Sequence, residues 1–196
     1  METTRKIRTR TRLVEVARDV FGTQGYSEPT HADLAAAAGI GRTTFYEYFD
    51  SKEDLLVHLV EVAVPELIDD VFEGLEDFGP YDQLSALVVR MIEFVGIDPL
   101  GLILHTEVNR LPDDVQRRVA ECHAPMSRRF VEIYERGVAE EAFVPMDSIL
   151  AARLIYESIM TAGRVLKATK DPKQHVHRIA GAASGFVMRG FSNWSA

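Results

Sequence analysis

A chain of 196 residues, 46% hydrophobic and 27% charged, has an ordinary globular composition with apolar surface for a sizeable core in one large or two small domains. A single cysteine, Cys122, excludes an internal disulfide. No run approaches the roughly 18 uncharged apolar residues of a membrane span, and Glu15, Arg18 and Asp19 interrupt the apolar stretch of a would-be signal peptide. The expectation is a cytoplasmic protein with no membrane partner, and its net charge of −8 argues against nucleic acid only as a sum.

Charge is unevenly placed. Arg5, Lys6, Arg8, Arg10 and Arg12 crowd the first twelve residues against the single acid Glu2, whereas Glu66, Asp69, Asp70, Glu73, Glu76 and Asp77 mark an acidic body. A basic end on an acidic body suggests a small DNA-facing head on a larger domain. The alternative for residues 1–6 is a solvated, disordered tail.

In chain order, almost every segment reads as helix. Leu13, Val16, Ala17, Val20 and Phe21 follow an amphipathic stripe that Gly22 and Gly25 end. Thr30 is an N-cap with Asp33 at the capping-box position, and Leu34, Ala35 and Ala38 form the apolar side of a short helix stopped by Gly39. A second short helix is expected over 42–49. Ser51, with Asp54, caps the next, which runs through Leu55, Leu56, Leu59 and Val62, with Pro65 as a kink or break. Gly79-Pro80 is a breaker pair, and helices follow at about 81–96, 99–109, 113–141, 147–169 and 172–190. Sustained period-2 alternation is absent, so the fold class is all-α.

The informative stretch is THADLAAAAGIGRTTFYEYFDSKEDL, residues 30–55. It reads as two short helices joined by a tight turn at Gly39-Ile40-Gly41, where Gly39 can take a positive φ without steric cost. Ile40 and Phe45 are expected to plug the joint against Val16, Phe21 and Leu34. The outward side chains have DNA chemistry. Arg42 can fork onto guanine O6 and N7; Thr43 and Thr44 offer hydroxyls and methyls; Tyr46 and Tyr48 can donate to phosphates. Lys52 and the helix start it occupies can hold one phosphate, and Thr30 and His31 can clamp the other strand's backbone.

Thr30, Leu34, Ala35, Ala38, Gly39, Ile40, Thr44, Phe45, Tyr46, Tyr48, Phe49, Ser51, Lys52, Glu53 and Leu55, with Phe21, Gly25 and Tyr26 before them, give this stretch its resemblance to the DNA-binding head of the TetR/AcrR family of bacterial regulators. FYEYF followed by SKEDL is its most specific part. The family usually has Ser or Thr where this chain has Gly41, so one side-chain oxygen is missing there. Thr43 stands where the family is often small, so it can tune specificity. The resemblance implies a three-helix head with a helix-turn-helix over 1–52, then a helical bundle over 53–196 for ligand binding and dimerisation. The partners it implies are double-stranded operator DNA, a small apolar or amphipathic effector and a second copy of the chain.

Within the bundle, small residues point to a homodimer interface on the last two helices, with Ala152, Ala162, Gly181, Gly185 and Phe186 as its candidates; the alternative is packing inside one subunit. Phe94, Leu102, His105, Met126, Phe130, Tyr156 and Met160 are the candidate effector-binding residues, with His105, Glu107 and Asn109 as polar handles. Cys122-His123 and His175/His177 have spacings that diverge on a helix, and the chain contains neither a Walker sequence, a G-x-S-x-G elbow nor H-E-x-x-H. No metal, cofactor or catalytic residue is therefore expected. The competing readings are a helical interaction module without DNA and, more remotely, a helical enzyme.

Overall fold

A computed structural model of the chain describes residues 2–98, 101 and 107–193. Among these residues lie eight α-helices: α1 (Glu2–Gln24), α2 (His31–Ala37), α3 (Arg42–Phe45), α4 (Lys52–Phe72), α5 (Pro80–Ile97), α6 (Asp113–Ala139), α7 (Ser148–Lys167) and α8 (Pro172–Phe191). Val108–Arg110 forms a 3-10 turn, and the rest of the helix expected over 99–109 falls largely outside the described residues. Among the described residues no strand forms; Phe143 and Ser192 make one antiparallel bridge. No described helix is long and apolar enough to cross a membrane.

The chain divides into two compact units, one of Met1–Pro65 with Ile103–Cys122, the other of Glu66–Leu102 with His123–Ala196. In the first, α1 buries Leu13, Val14, Ala17 and Phe21, close to the expected stripe, while Val16 and Val20 are half-buried. The helix reaches back to Glu2, so the basic end is helical rather than a disordered tail. Gly25 closes it at φ 79°, its N–H on Phe21 O at 3.0 Å. Pro65 does not break α4; the helix runs through it to Phe72. Losing one backbone bond at proline is offset by the buried Leu55, Leu56, Leu59 and Val60, which hold the helix before it.

In the second unit α5, α7 and α8 pack on one another. Two glycines set the closest approach of α5 and α7. A Cβ on Gly96 would stand 2.5 Å from Leu166, and one on Gly163 would stand 2.4 Å from Val95. The hydroxyls of Ser85 and Ser184 meet at 3.0 Å between α5 and α8. The end of α6 is tied down by Tyr134, which stacks on Phe143 at 5.8 Å and donates its hydroxyl to Val144 O at 2.6 Å. Buried Gln83 is satisfied on both sides, donating to Leu75 O at 3.0 Å and accepting from Arg136.

Candidate nucleic-acid interface

The head is built around a turn that only glycine makes without strain. Gly39 sits at φ 72°, its N–H bonds Ala36 O at 3.0 Å, and Ile40 N–H bonds Ala35 O at 2.9 Å. This pair of bonds is a Schellman motif, which satisfies the last carbonyls of α2 and aims the chain into α3. At its other end α2 has a full capping box. The Thr30 hydroxyl donates to Asp33 Oδ2 at 2.6 Å, Thr30 N–H donates to the same oxygen at 2.9 Å, and Asp33 N–H returns to Thr30 Oγ1 at 3.3 Å. The Thr30 hydroxyl, and then its N–H, hold the exposed Asp33 carboxyl below its ordinary range.

Helix α3 is shorter than the sequence suggests. Regular α-helix covers four residues, and residues 46–48 tighten into i→i+3 bonds, Glu47 N–H on Thr44 O and Tyr48 N–H on Phe45 O. Four residues cannot hold a helix by backbone bonds alone. Phe45 supplies the rest. It is fully buried, with the rings of His31 at 5.3 Å, Tyr46 at 5.6 Å and Phe49 at 6.2 Å around it. With Phe45 fixed inward, Arg42 and Thr43 at the start of α3 are exposed, and among the described residues neither has a side-chain partner. Gly41 caps α3 with no side-chain bond. Thr44 and Tyr48 are half-buried, and Tyr46 is 43% exposed.

His31 and Lys52 are occupied within the protein. His31 Nε2 accepts Lys52 N–H at 3.1 Å, which caps the first amide of α4. Asp54 N–H goes to Ser51 Oγ at 3.0 Å, as the spacing predicted. The Lys52 ammonium donates to Tyr26 O at 2.8 Å, Pro29 O at 3.0 Å and Ser27 O at 3.4 Å, and stands 4.5 Å from the Tyr26 ring centroid. Burial pulls this ammonium down from its ordinary value, against the Glu53 and Glu107 carboxylates. Burial, with Glu53 beside it, pushes the Tyr26 hydroxyl up, so it stays protonated and donates to Glu53 Oε1 at 3.0 Å. Lys52 thus ties the loop between α1 and α2 to the start of α4.

A consequence can be measured. Lys52→Met should leave loop carbonyls unpaired, costing about 1–3 kcal/mol and lowering the thermal midpoint. The salt dependence of DNA binding should not change. A slope smaller by about one unit in a fully stable variant would instead put the ammonium on a phosphate.

Several contacts were invisible in the sequence. Arg12 Nε donates to Ala38 O at 2.9 Å, beside the Gly39 turn, and the Arg10 guanidinium lies 5.3 Å from the Phe49 ring centroid. Ser27 Oγ donates to Glu107 Oε2 at 3.2 Å, and Arg118 pairs with Asp54 at 3.0 Å. The basic run was the signal for the first two; nothing in the sequence marked the others.

The described candidate effector residues lie in the second unit, except the handles Glu107 and Asn109, which lie in the first. Met126 and Phe130, one turn apart on α6, are buried, as is Met160; Phe94 is half-buried and Tyr156 is exposed. Leu102 and His105 lie outside the described residues. Of the candidate dimer residues, Ala162 is buried in its own chain, Ala152 and Gly185 are half-buried, Gly181 is exposed, and Phe186 is 69% exposed.

Residues 13–59, the span from the first buried residue of α1 into α4, match the family described as bacterial regulatory proteins, tetR family. The chain is 33% identical to the HTH-type transcriptional regulator EthR of Mycolicibacterium smegmatis over 162 residues, 76% of this chain and 72% of that protein. It is 26% identical to the HTH-type transcriptional repressor KstR2 of the same species, over 81% of this chain and 79% of that one. Its fold is that of the transcriptional regulator FadR from Bacillus subtilis, solved in complex with stearoyl-CoA, with a TM-score of 0.79, 19% identity, and 92% and 98% of the two chains covered.

Proposed function

Since the chain belongs to the tetR family of bacterial regulatory proteins, we propose that it is a transcriptional repressor that binds a pseudo-palindromic operator as a homodimer and is released by a small-molecule effector. The observation that carries this reading is the start of α3. Arg42 and Thr43 project from a turn fixed by Gly39 and Phe45, with no partner among the described residues, while His31 and Lys52 nearby are bonded within the protein. First-turn residues of a recognition helix are those that reach base edges in the major groove. Tyr46, Tyr48, Thr44 and the half-turn at Thr30 and His31 stand around them for phosphate contacts.

Dimerisation is supported by an apolar surface on the second unit. Ile149, Leu150, Leu154 and Val165 of α7 and Phe186 of α8 are all exposed, and Leu150, Leu154 and Val165 share one helix face. Gly181 of α8 is exposed too, with nothing of its own chain within 4 Å of a Cβ there. A two-fold pairing through these helices would present two heads to half-sites about one helical turn, or ~34–36 Å, apart. The effector is a small apolar or amphipathic molecule. An acyl thioester of coenzyme A is the first class to test, because FadR from Bacillus subtilis was solved with stearoyl-CoA. Helices α4 and α6 each begin in the unit that holds the head and end in the other, so they are the segments through which ligand binding would shift the heads.

Selection from random duplex DNA tests the reading. The wild-type protein should recover an inverted repeat. Arg42→Ala should recover the same repeat with one base pair per half-site relaxed by about 1–3 kcal/mol, the value of a bidentate arginine–guanine pair. A wild-type protein that enriches no sequence would remove the DNA-reading function. A mutant with unchanged stringency at every position would restrict Arg42 to the backbone. Palmitoyl-CoA added to the preformed complex should raise the dissociation constant, and no shift would exclude that ligand class while leaving the DNA reading intact.

A further inference from the structure

We propose that His31 is a positioning residue for DNA reading: it registers the start of α3 against the start of α4, and does so only as a neutral imidazole with its hydrogen on Nδ1. The proposal rests on the DNA-reading function of α3. Its observations, one long-range cap and two ring contacts, are separate from the exposure of Arg42 and Thr43.

The first amides of a helix have no partner inside it. At α4 the Ser51 hydroxyl takes the amide of Asp54, in the third position. The amide of Lys52, in the first, is taken by His31 Nε2 at 3.1 Å, from a residue 21 positions earlier in the chain. An imidazole nitrogen accepts only through a free lone pair, so Nε2 is bare and the ring hydrogen sits on Nδ1. The same ring meets the reader helix. Phe45 lies against it in a T-shape at 5.3 Å, and Tyr46 lies at 5.6 Å, tilted by 31°. Phe45 is the buried anchor of α3, and Arg42 and Thr43 stand just before it. One side chain therefore joins the first amide of α4 to the rings that hold the reader helix, and a shift of either is passed to the other.

Protonation undoes the joint. An imidazolium carries a hydrogen on both nitrogens, so Nε2–H would point at Lys52 N–H, donor against donor. Its charge would stand at the positive end of the α4 macrodipole. The charged groups on the elements around it give little relief. The Lys52 ammonium, bonded to Pro29 O just before α2, repels it. The Glu53 carboxylate is turned to the Tyr26 hydroxyl, and that of Asp33 to Thr30. On α3, Arg42 is a further cation. The attraction of a part-exposed cation to the Phe45 and Tyr46 rings is weak beside the lost cap and two repelling charges. An operator phosphate near the start of α2 would attract an imidazolium on any duplex alike. Protonation therefore lowers discrimination between sequences without lowering general affinity.

The test uses the full chain and measures the ratio of its affinities for two duplexes, the consensus recovered by the wild-type protein from a random library and a scrambled one. Between about pH 8 and about pH 5.5, where imidazoles change charge, the wild-type ratio should fall about tenfold. His31→Gln places a carbonyl that does not titrate near the position of Nε2, and its ratio should stay nearly level across that range. His31→Phe keeps a ring against Phe45 and Tyr46 but offers no acceptor, and its ratio should be low throughout. His58→Gln is the control. It removes the other described histidine of this unit, whose contact with Glu61 gains from protonation, and its ratio should fall as the wild type's does. Melting curves at both ends of the range verify that each protein is folded where it is compared. In the free wild-type protein near the upper end, nitrogen NMR should show His31 Nδ1 protonated and Nε2 bare. The opposite tautomer would overturn the proposal without reference to DNA. So would a level wild-type ratio, a fall that follows His58 instead, a glutamine variant that falls like the wild type, or a phenylalanine variant with the wild-type ratio. These outcomes leave the α3 reading standing, whereas a wild-type protein that selects no sequence would remove both.

Discussion

Phe45→Ala is expected to abolish specific DNA binding while leaving the second unit folded. Truncating a fully buried phenylalanine costs about 3–5 kcal/mol, and here the loss falls on a four-residue helix with no other anchor of that size. Three rings lose their shared neighbour together, those of His31, Tyr46 and Phe49. His31 matters beyond packing, because its Nε2 caps the first amide of α4. Loosening its ring would release that cap and the pose of Arg42 at once. Circular dichroism should show a low-temperature transition of limited amplitude, from the head, followed by the main one. Fluorescence anisotropy should show no preference between consensus and scrambled duplex. A mutant with a single wild-type transition and wild-type affinity would show that Phe45 does not hold the reader helix in place.

The ease with which the head was read from the sequence has a local cause. Glycine with φ 72° at residue 39, the Thr30–Asp33 box and the Ser51–Asp54 cap are all satisfied within three or four residues, so spacing alone reveals them. Phe45 was legible because its inward side is fixed by the same turn. Lys52 was not. Its position at a helix start suggests an ammonium free for phosphate, yet its acceptors are carbonyls of a loop more than twenty residues earlier. The start of α1 was equally obscure, since a basic, unburied helix and a basic, unburied tail share one composition. In the second unit, small residues carried two meanings that spacing cannot separate. Gly163 faces Val95 within the chain, whereas Gly181 faces open space. Only the placement of α5 against α7 distinguishes them.

That distinction makes Gly181→Trp the sharper test of the dimer. A side chain at Gly163 would collide with Val95, so a variant there would fail through its own fold. At Gly185 the first atoms met are the flexible guanidinium of Arg189, at 3.4 Å. At Gly181 a Cβ meets nothing of its own chain within 4 Å, and replacing glycine inside a helix improves its propensity. Tryptophan there should cost the protomer nothing and keep a partner's α7 and α8 apart. Sedimentation velocity should then show a monomer where the wild type is a dimer. Binding to the inverted repeat should weaken by about 10²–10⁴, the advantage of holding two heads together, while each head keeps its affinity for a single half-site. Phe186→Glu is the companion variant, because it puts charge on the other exposed side of α8, about 140° around the helix, by removing an exposed ring instead of adding one. If both variants sediment as wild-type dimers, the exposed faces of α7 and α8 are not where two copies meet. If both are monomers and bind the repeat as tightly as before, the two heads do not act together on DNA.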